Sequence, residues 1–463
     1  MMLDEKYVSE IVAKVVKSID IQDACTKQKG VFDTMEEALE AVKKARELYR
    51  EYSIEQREKI ISCIRKLILQ EADVMARLGV EETGMGNGAD KTIKHQLVAN
   101  KTPGTEDLHP VALTGDQGLT LIEMAPYGII GSITPSTNPS ETVLCNSIGM
   151  LAAGNGVVFN PHPHAKKTAN YAVDLVNRAV LEAGGPENIV VSVKNPTMDT
   201  SNTMMKSPLV RMLVATGGPG VVRALLSSGK KAIGAGAGNP PVIVDDTVDV
   251  KKAAKDIVDG ASFDNNLPCI AEKECFAFSN ITDELISEMT KNGAYLIKGE
   301  QIDKLLSFAL INKDGKYVIN KKWVGKDAKL FLKELGIESD AKLIICETEE
   351  MHPFVQTEMM MPVLAIVRVN NIDEAVKMAV NAEHGNRHSA HIHSKNIDNL
   401  TKFARAVETT IFVKNAPSYA GIGAGGEGYT TFTIAGPTGE GLTAAHSFTR
   451  QRRCVMVDGL HIV

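Results

Sequence analysis

Two rhythms of apolar and polar positions run along this chain, and one gives way to the other near residue 128. The opening stretch MMLDEKYVSEIVAKVVKSID puts Val8, Ile11, Val12, Val15, Val16 and Ile19 on one helical stripe, with Ser9, Glu10, Lys14 and Lys17 opposite. An amphipathic helix is therefore expected over 1–19, followed by a polar linker over 20–30. The stripe has two readings: packing on the chain's own globule, or docking on a partner. From 36 to about 100 the period stays helical, broken at Gly84, Gly86 and Gly88.

Beyond 128, short apolar runs alternate with helical ones. Strands are expected at 128–134, 157–160, 188–194, 209–216 and 241–245, with helices at 141–154, 165–184 and 221–229 between them. Strands regularly separated by helices call for an α/β fold with a doubly wound parallel sheet. A second α/β unit follows 245. Its helices are VKKAAKDIVDGAS, DELISEMTKNG and IDEAVKMAVNAE, and its strands include AKLIICE, VLAIVRV and TIFVKN. The tail 453–463 reads as a strand without an obvious local partner, so an oligomer is expected in which it completes a neighbour's sheet.

Length and composition narrow the class. The 463 residues suffice for two or three domains. A net charge of -6, on 51 basic and 57 acidic residues, makes nucleic acid and anionic membrane poor partners. No apolar run reaches the ~18 residues of a membrane span, and Asp4, Glu5 and Glu10 stand where a secretory leader would be basic and then apolar. The seven cysteines, at 25, 63, 145, 269, 275, 346 and 454, are scattered and form no C-x-x-C. Free thiols in a reducing cytosol are expected.

Several stretches could carry chemistry. In 209–229 a strand, the glycines Gly217, Gly218 and Gly220, and a helix follow one another, an order that can seat a pyrophosphate on a helix N-terminus. A plain strand-to-helix turn is the competing reading. The stretch 234-GAGAGNPP-241 is a poorer phosphate loop, because Pro240 and Pro241 resist the helix that should follow; its glycines point to close backbone approach. In 134-TPSTNPSE-141, past a strand's carboxyl end, Asn138 offers an N–H2 donor for an oxyanion, although its position before Pro139 is also that of a helix cap. His384, His388 and His391 would share a face only on a helix, whereas SAHIHS alternates as a strand does. No metal site is expected, and His388 is the histidine chosen to line a site. Cys269 follows Pro268 in an irregular loop where a thiolate could be stabilised. Cys275 sits in an alternating strand and Cys63 and Cys145 in helices, as core residues do.

The stretches TPSTNPSETV, VVFNPHPHAKK, ATGGPGVV, AIGAGAGNPPVIVDD, FDNNLPCIAEKE, TEMMMPV, HSAHIHSKN, FVKNAPSYAG and IAGPTGEGLT together resemble the aldehyde dehydrogenase superfamily. Within it they are most similar to the CoA-acylating propionaldehyde and acetaldehyde dehydrogenases of bacterial microcompartments and their butyraldehyde relatives. The resemblance implies a Rossmann-type NAD-binding domain over 31–112 and 127–240 and a catalytic domain over 241–440. Oligomerisation strands are implied over 113–126 and 450–463, in a homodimer or homotetramer. It implies Cys269 as nucleophile and Asn138 and the Cys269 N–H as oxyanion donors, with His388, chosen above, as a further catalytic candidate. NAD, rather than NADP, would be held by Glu358, Thr134, Pro135, Asn160, Pro161, Gly217, Gly218, Gly220, Val221 and Gly236. Asn160 stands where hydrolytic members carry a ribose-binding lysine.

One departure separates subclasses. Hydrolytic members have a glutamate in Leu-Glu-Leu-Gly-Gly that primes water. The segment Ile233-Gly234-Ala235-Gly236-Ala237-Gly238 has alanine at that position and no carboxylate. Water needs a positioned base, whereas a thiol of pKa ~8.5 needs less help. Acyl transfer to coenzyme A is thus expected ahead of hydrolysis or of an inactive scaffold. The resemblance also implies that helix 1–19 docks to a shell protein, placing the enzyme inside a microcompartment of the bacterial cytoplasm.

Overall fold

In a computed structural model, residues 28–463 are described. The expected helix 1–19 and residues 20–27 of the linker lie outside them. In chain order the strands are β1 (Val31–Phe32), β2 (Val111–Gly115), β3 (Gly118–Pro126), β4 (Ile129–Ile133), β5 (Gly156–Asn160), β6 (Val190–Val193), β7 (Val210–Thr216) and β8 (Lys231–Ala235). Then come β9 (Pro241–Val244), β10 (Glu274–Phe278), β11 (Ala294–Ile297), β12 (Leu310–Lys313), β13 (Lys316–Ile319) and β14 (Leu343–Glu347). The last are β15 (Val363–Val369), β16 (Ser389–His393), β17 (Ile411–Lys414), β18 (Ile434–Ala435), β19 (Gly441–Leu442) and β20 (Thr449–Met456).

Two parallel sheets organise the chain. The first has the order β1-β6-β5-β4-β7-β8, and the second β11-β14-β15-β10-β9-β16-β17. Strands β6, β9 and β15 are buried runs rich in Val, Ile and Leu, as expected when helices cover both faces. In the first sheet the chain runs outward from β4 through β5 and β6, then returns to build β7 and β8 on β4's other side. The crevice between the carboxyl ends of β4 and β7 is therefore a topological switch point, where open α/β sheets bind ligands. Registers keep those ends level: Ile133 pairs with Asn160 and Ala215, and Thr216 with Ala235.

The first three helices among the described residues begin where the sequence supplies acceptors for their free N–H groups. Thr34 with Glu37 and Ser53 with Gln56 form reciprocal caps, and Asn87 accepts from the Asp90 N–H. Within the described residues the patterned strands and helices occur. Two differences stand out. KAIGA at 231–235 is a strand, with Gly234 packed so closely on Val222 that a Cβ there would lie 2.7 Å from the valine's Cγ1. The terminal strand also has a partner within its own chain: β20 runs antiparallel to β3, whose other edge holds β2. That pairing was invisible locally because more than 300 residues separate the two strands.

Candidate active site

Between β8 and β9 only residues 236–240 intervene, and they carry the chain from the carboxyl edge of the first sheet to the amino edge of the second. Along that amino edge start β9, β10, β15 and β16, with Glu274 level with Pro241 and Ala365. The loops entering these strands bring Gly238, Cys269, Glu358 and His388 to one place. A Cβ added to Gly238 would lie 2.9 Å from His388 Cγ and 3.1 Å from the Cys269 carbonyl oxygen. The Gly238 N–H donates to the Glu358 carboxylate. Asn239 then clamps the crossing, donating to the Val355 and Ala382 carbonyls at 2.9 Å each.

The loop before Cys269 explains why Asp-Asn-Asn precedes Leu-Pro-Cys. Asp264, Asn265 and Asn266 all have left-handed backbone, with φ of 47, 56 and 64°. Asp and Asn adopt that conformation at the least cost of any residue but glycine. Each side chain also fastens the turn. Asp264 accepts from the Asn87 N–H, Asn265 donates to Gly325 O and Asp327, and Asn266 donates to Ala261 O and Glu272 O. The Lys273 ammonium closes the loop from beneath, donating to Asn266 O (2.8 Å), Asn266 Oδ1 (2.6 Å) and Pro268 O (3.3 Å). Backbone strain held by so many partners is a mark of functional loops.

Cys269 is half-buried at the loop's end. Burial, with the Glu358 carboxylate beside it, pushes its thiol up to about 12, while Lys273 and Lys94 act in the opposite sense. The free chain thus holds a protonated thiol, contrary to the expectation that the loop stabilises a thiolate. Burial likewise raises Glu358 to about 7. The site therefore does contain a carboxylate near the sulfur, although segment 233–238 has none.

His388 is buried, and burial together with Lys273 lowers it to about 4, leaving a neutral imidazole at pH 7. Its Nδ1 meets Ser389 Oγ at 2.7 Å, while its Nε2 is buried without a partner. His391 instead donates through Nε2 to Ile270 O at 2.9 Å, securing the residue after Cys269. The three histidines do not converge, and no group of three metal-binding side chains occurs among the described residues.

Asn138 occupies the cap position of helix Pro139–Ala152 but makes no side-chain cap bond. Its Oδ1 accepts from the Lys94 ammonium at 2.6 Å. Lys94, Lys91, Asp264 and Glu141 form a fully buried cluster, with Lys94 reaching Asp264 at 2.6 Å and Glu141 at 2.8 Å, and Lys91 reaching Asp264 at 3.1 Å. The sequence reading passed over this cluster and Lys273. A signal existed in helix Gly88–Lys101, whose buried face is Lys91, Lys94, His95, Val98 and Ala99 while Ile93 is exposed.

At the switch point, Thr134 and Pro135 follow β4, and Gly217 and Gly218 follow β7. None of Gly217, Gly218 and Gly220 has positive φ, and a Cβ on any of them would meet nothing within 4 Å. The turn itself does not demand glycine; the glycines keep open the space before helix Pro219–Leu226, whose first turn has no side-chain cap. Thr134 Oγ1 is buried without a partner. Open N–H groups, cleared space and an unpaired hydroxyl fit a nucleotide's phosphates and ribose. Val221 is half-buried in that first turn, and Gly236 lies against Pro437. Asn160 differs: its amide donates to Ser201 and its Oδ1 accepts from Thr200, so the side chain faces a neighbouring helix, with Pro161 buried behind it.

The profile of the aldehyde dehydrogenase family matches residues 9–433. Over 464 residues the chain is 46% identical to "Acetaldehyde dehydrogenase (acetylating) EutE" of Escherichia coli K12, covering 99% of both. A propionaldehyde dehydrogenase from the Clostridium phytofermentans fucose utilisation bacterial microcompartment is 57% identical, with a TM-score of 0.92 over 94% of this chain and 100% of that one. Rhodopseudomonas palustris propionaldehyde dehydrogenase with bound propionyl-CoA is 54% identical, with a TM-score of 0.91 over 94% and 97%.

Proposed function

Because the chain belongs to the aldehyde dehydrogenase family, we propose that it oxidises a short aliphatic aldehyde and passes the acyl group to coenzyme A through Cys269. The single observation that carries this reading is that Gly238 lies against both the Cys269 backbone and His388, whose Nε2 is buried without a partner, in a segment that itself carries no carboxylate.

In this reading Cys269 Sγ bonds to the aldehyde carbon, the carbonyl electron pair moves to oxygen, and the thiol proton passes to solvent. The oxygen that gains the electron pair receives N–H groups from Asn138 and the Cys269 backbone. Glu358, Thr134, Pro135, Pro161, Gly217, Gly218, Gly220, Val221 and Gly236 would hold the nicotinamide dinucleotide, Asn160 only through its backbone. When bound, that cofactor accepts a hydride, and a thioester remains on Cys269. His388, neutral near pH 7, takes the proton of the incoming CoA thiol as its sulfur displaces Cys269. Segment 233–238 supplies no glutamate to prime water, and a thiol needs less help from a base than water does.

We further read the cofactor as NAD in preference to NADP, and the assembly as a homo-oligomer joined through β2, β3 and β20. Helix 1–19 would tether it to a microcompartment shell. The relative's name supports encapsulation, as does the amphipathic stripe. Mass spectrometry after incubation with propionaldehyde and NAD, without CoA, should find a propionyl adduct on Cys269 that CoA removes. Free acid in its place, or an adduct elsewhere, would reject the proposal.

A further inference from the structure

The buried lysine that touches Asn138 has no place in the chemistry derived so far. It could be a structural ion pair, but its contacts are too specific for that alone. Lys94 is completely buried, and its ammonium faces three acceptors: Asn138 Oδ1 at 2.6 Å, Asp264 at 2.6 Å and Glu141 at 2.8 Å. An ammonium has three N–H donors and no acceptor, so every one of its protons is assigned.

Two consequences follow. Only the amide oxygen of Asn138 can meet this cation, which settles which way the amide is turned. The N–H2 must point away from Lys94, and its nearest protein contact is the Thr137 hydroxyl at 3.4 Å, beyond a good hydrogen bond. The three acceptors also come from two separate elements. Glu141 sits one turn after Asn138 on the same helix, and Asp264 opens the left-handed turn that leads to Cys269. One cation thus joins the element bearing the proposed oxyanion donor to the loop bearing the proposed nucleophile. Lys91, also on Asp264, leaves the cluster with two cations and two carboxylates, so it stays neutral although buried.

We propose that Lys94 is a positioning residue, holding the Asn138 oxygen so that the amide N–H2 is presented to the oxyanion at Cys269. This rests on the reading of Cys269 and Asn138 given above. The test is a double-mutant cycle read in the single-turnover burst of reduced nicotinamide with saturating propionaldehyde and NAD. Asn138→Ala should slow the burst about a hundredfold, the scale of one lost oxyanion donor. Lys94→Met should slow it comparably, with the aldehyde KM and NAD Kd within twofold of the parent. Asn138→Ala/Lys94→Met should be no slower than Asn138→Ala. Lys94→Gln, which retains a donor for Oδ1, should recover most of the rate, and it serves as the test if Lys94→Met does not fold.

Losses that multiply in the double variant would make Lys94 an independent structural element and overturn the proposal. A parent-like burst in Lys94→Met, with Asn138→Ala impaired, would overturn it alone. A parent-like burst in Asn138→Ala would remove the oxyanion reading and the proposal together.

Discussion

Gly238→Ala gives the sharpest test of how the site is packed. The glycine's backbone is ordinary, so the substitution adds no conformational strain; only the methyl matters. Its Cβ would stand 2.9 Å from His388 Cγ and 3.1 Å from both His388 Cβ and the Cys269 oxygen. Comfortable carbon contacts begin near 3.5 Å, so the ring or the loop must yield by about 0.6 Å. Asn239 behind the methyl is tied to two carbonyls, which leaves His388 and Cys269 as the groups that move. Displacing reacting groups by ~1 Å costs about a hundredfold, so ~0.6 Å should lower kcat/KM roughly ten- to thirtyfold, or about 1.4–2 kcal/mol. Steady-state rates at fixed CoA, with a thermal melt to confirm folding, would measure it. A folded Gly238→Ala enzyme within twofold of the parent would refute the close packing inferred here.

Other outcomes can be checked alongside. Gly220→Ala, in open space within a helix, should stabilise the chain by up to ~1 kcal/mol yet raise the NAD KM; an unchanged KM would remove the phosphate assignment. Because Cys269 is pushed up to about 12, its thiolate fraction grows with pH. Iodoacetamide labelling of the free enzyme should accelerate about tenfold per unit from pH 7 to 10, where an ordinary thiol of pKa ~8.5 levels off; a plateau below pH 9 would contradict this. Asn266→Ala removes two side-chain donations and one of the three acceptors of Lys273, and places alanine at a φ of 64°. It should cost about 3 kcal/mol in urea unfolding, with Asn266→Gly less harmful because it relieves the backbone.

The sequence was most legible where one periodicity ran unopposed. VKKAAKDIVDGAS and IDEAVKMAVNAE form helices over the same residues that their apolar spacing marks. The glycines of 234–238 were rightly read as sites of close approach, as Gly234 on Val222 and Gly238 on His388 attest. KAIGA escaped notice as a strand because two lysines and a glycine-rich continuation mask a short alternation. The partner of β20 was hidden by sequence distance, and the ion cluster by the rule that charges face water. On helix Gly88–Lys101 that rule inverts: lysines fill the inward stripe and isoleucine the outward one. A local pattern can show such an inversion but cannot say which distant carboxylates will neutralise it.

The five-residue crossing from β8 to β9 also limits how the molecule can breathe. Fully extended, five residues reach no more than ~18 Å, and here one of them is wedged between imidazole and nucleophile. A span so short ties any movement of one sheet against the other to the place where Gly238 lies against His388 and the Cys269 carbonyl.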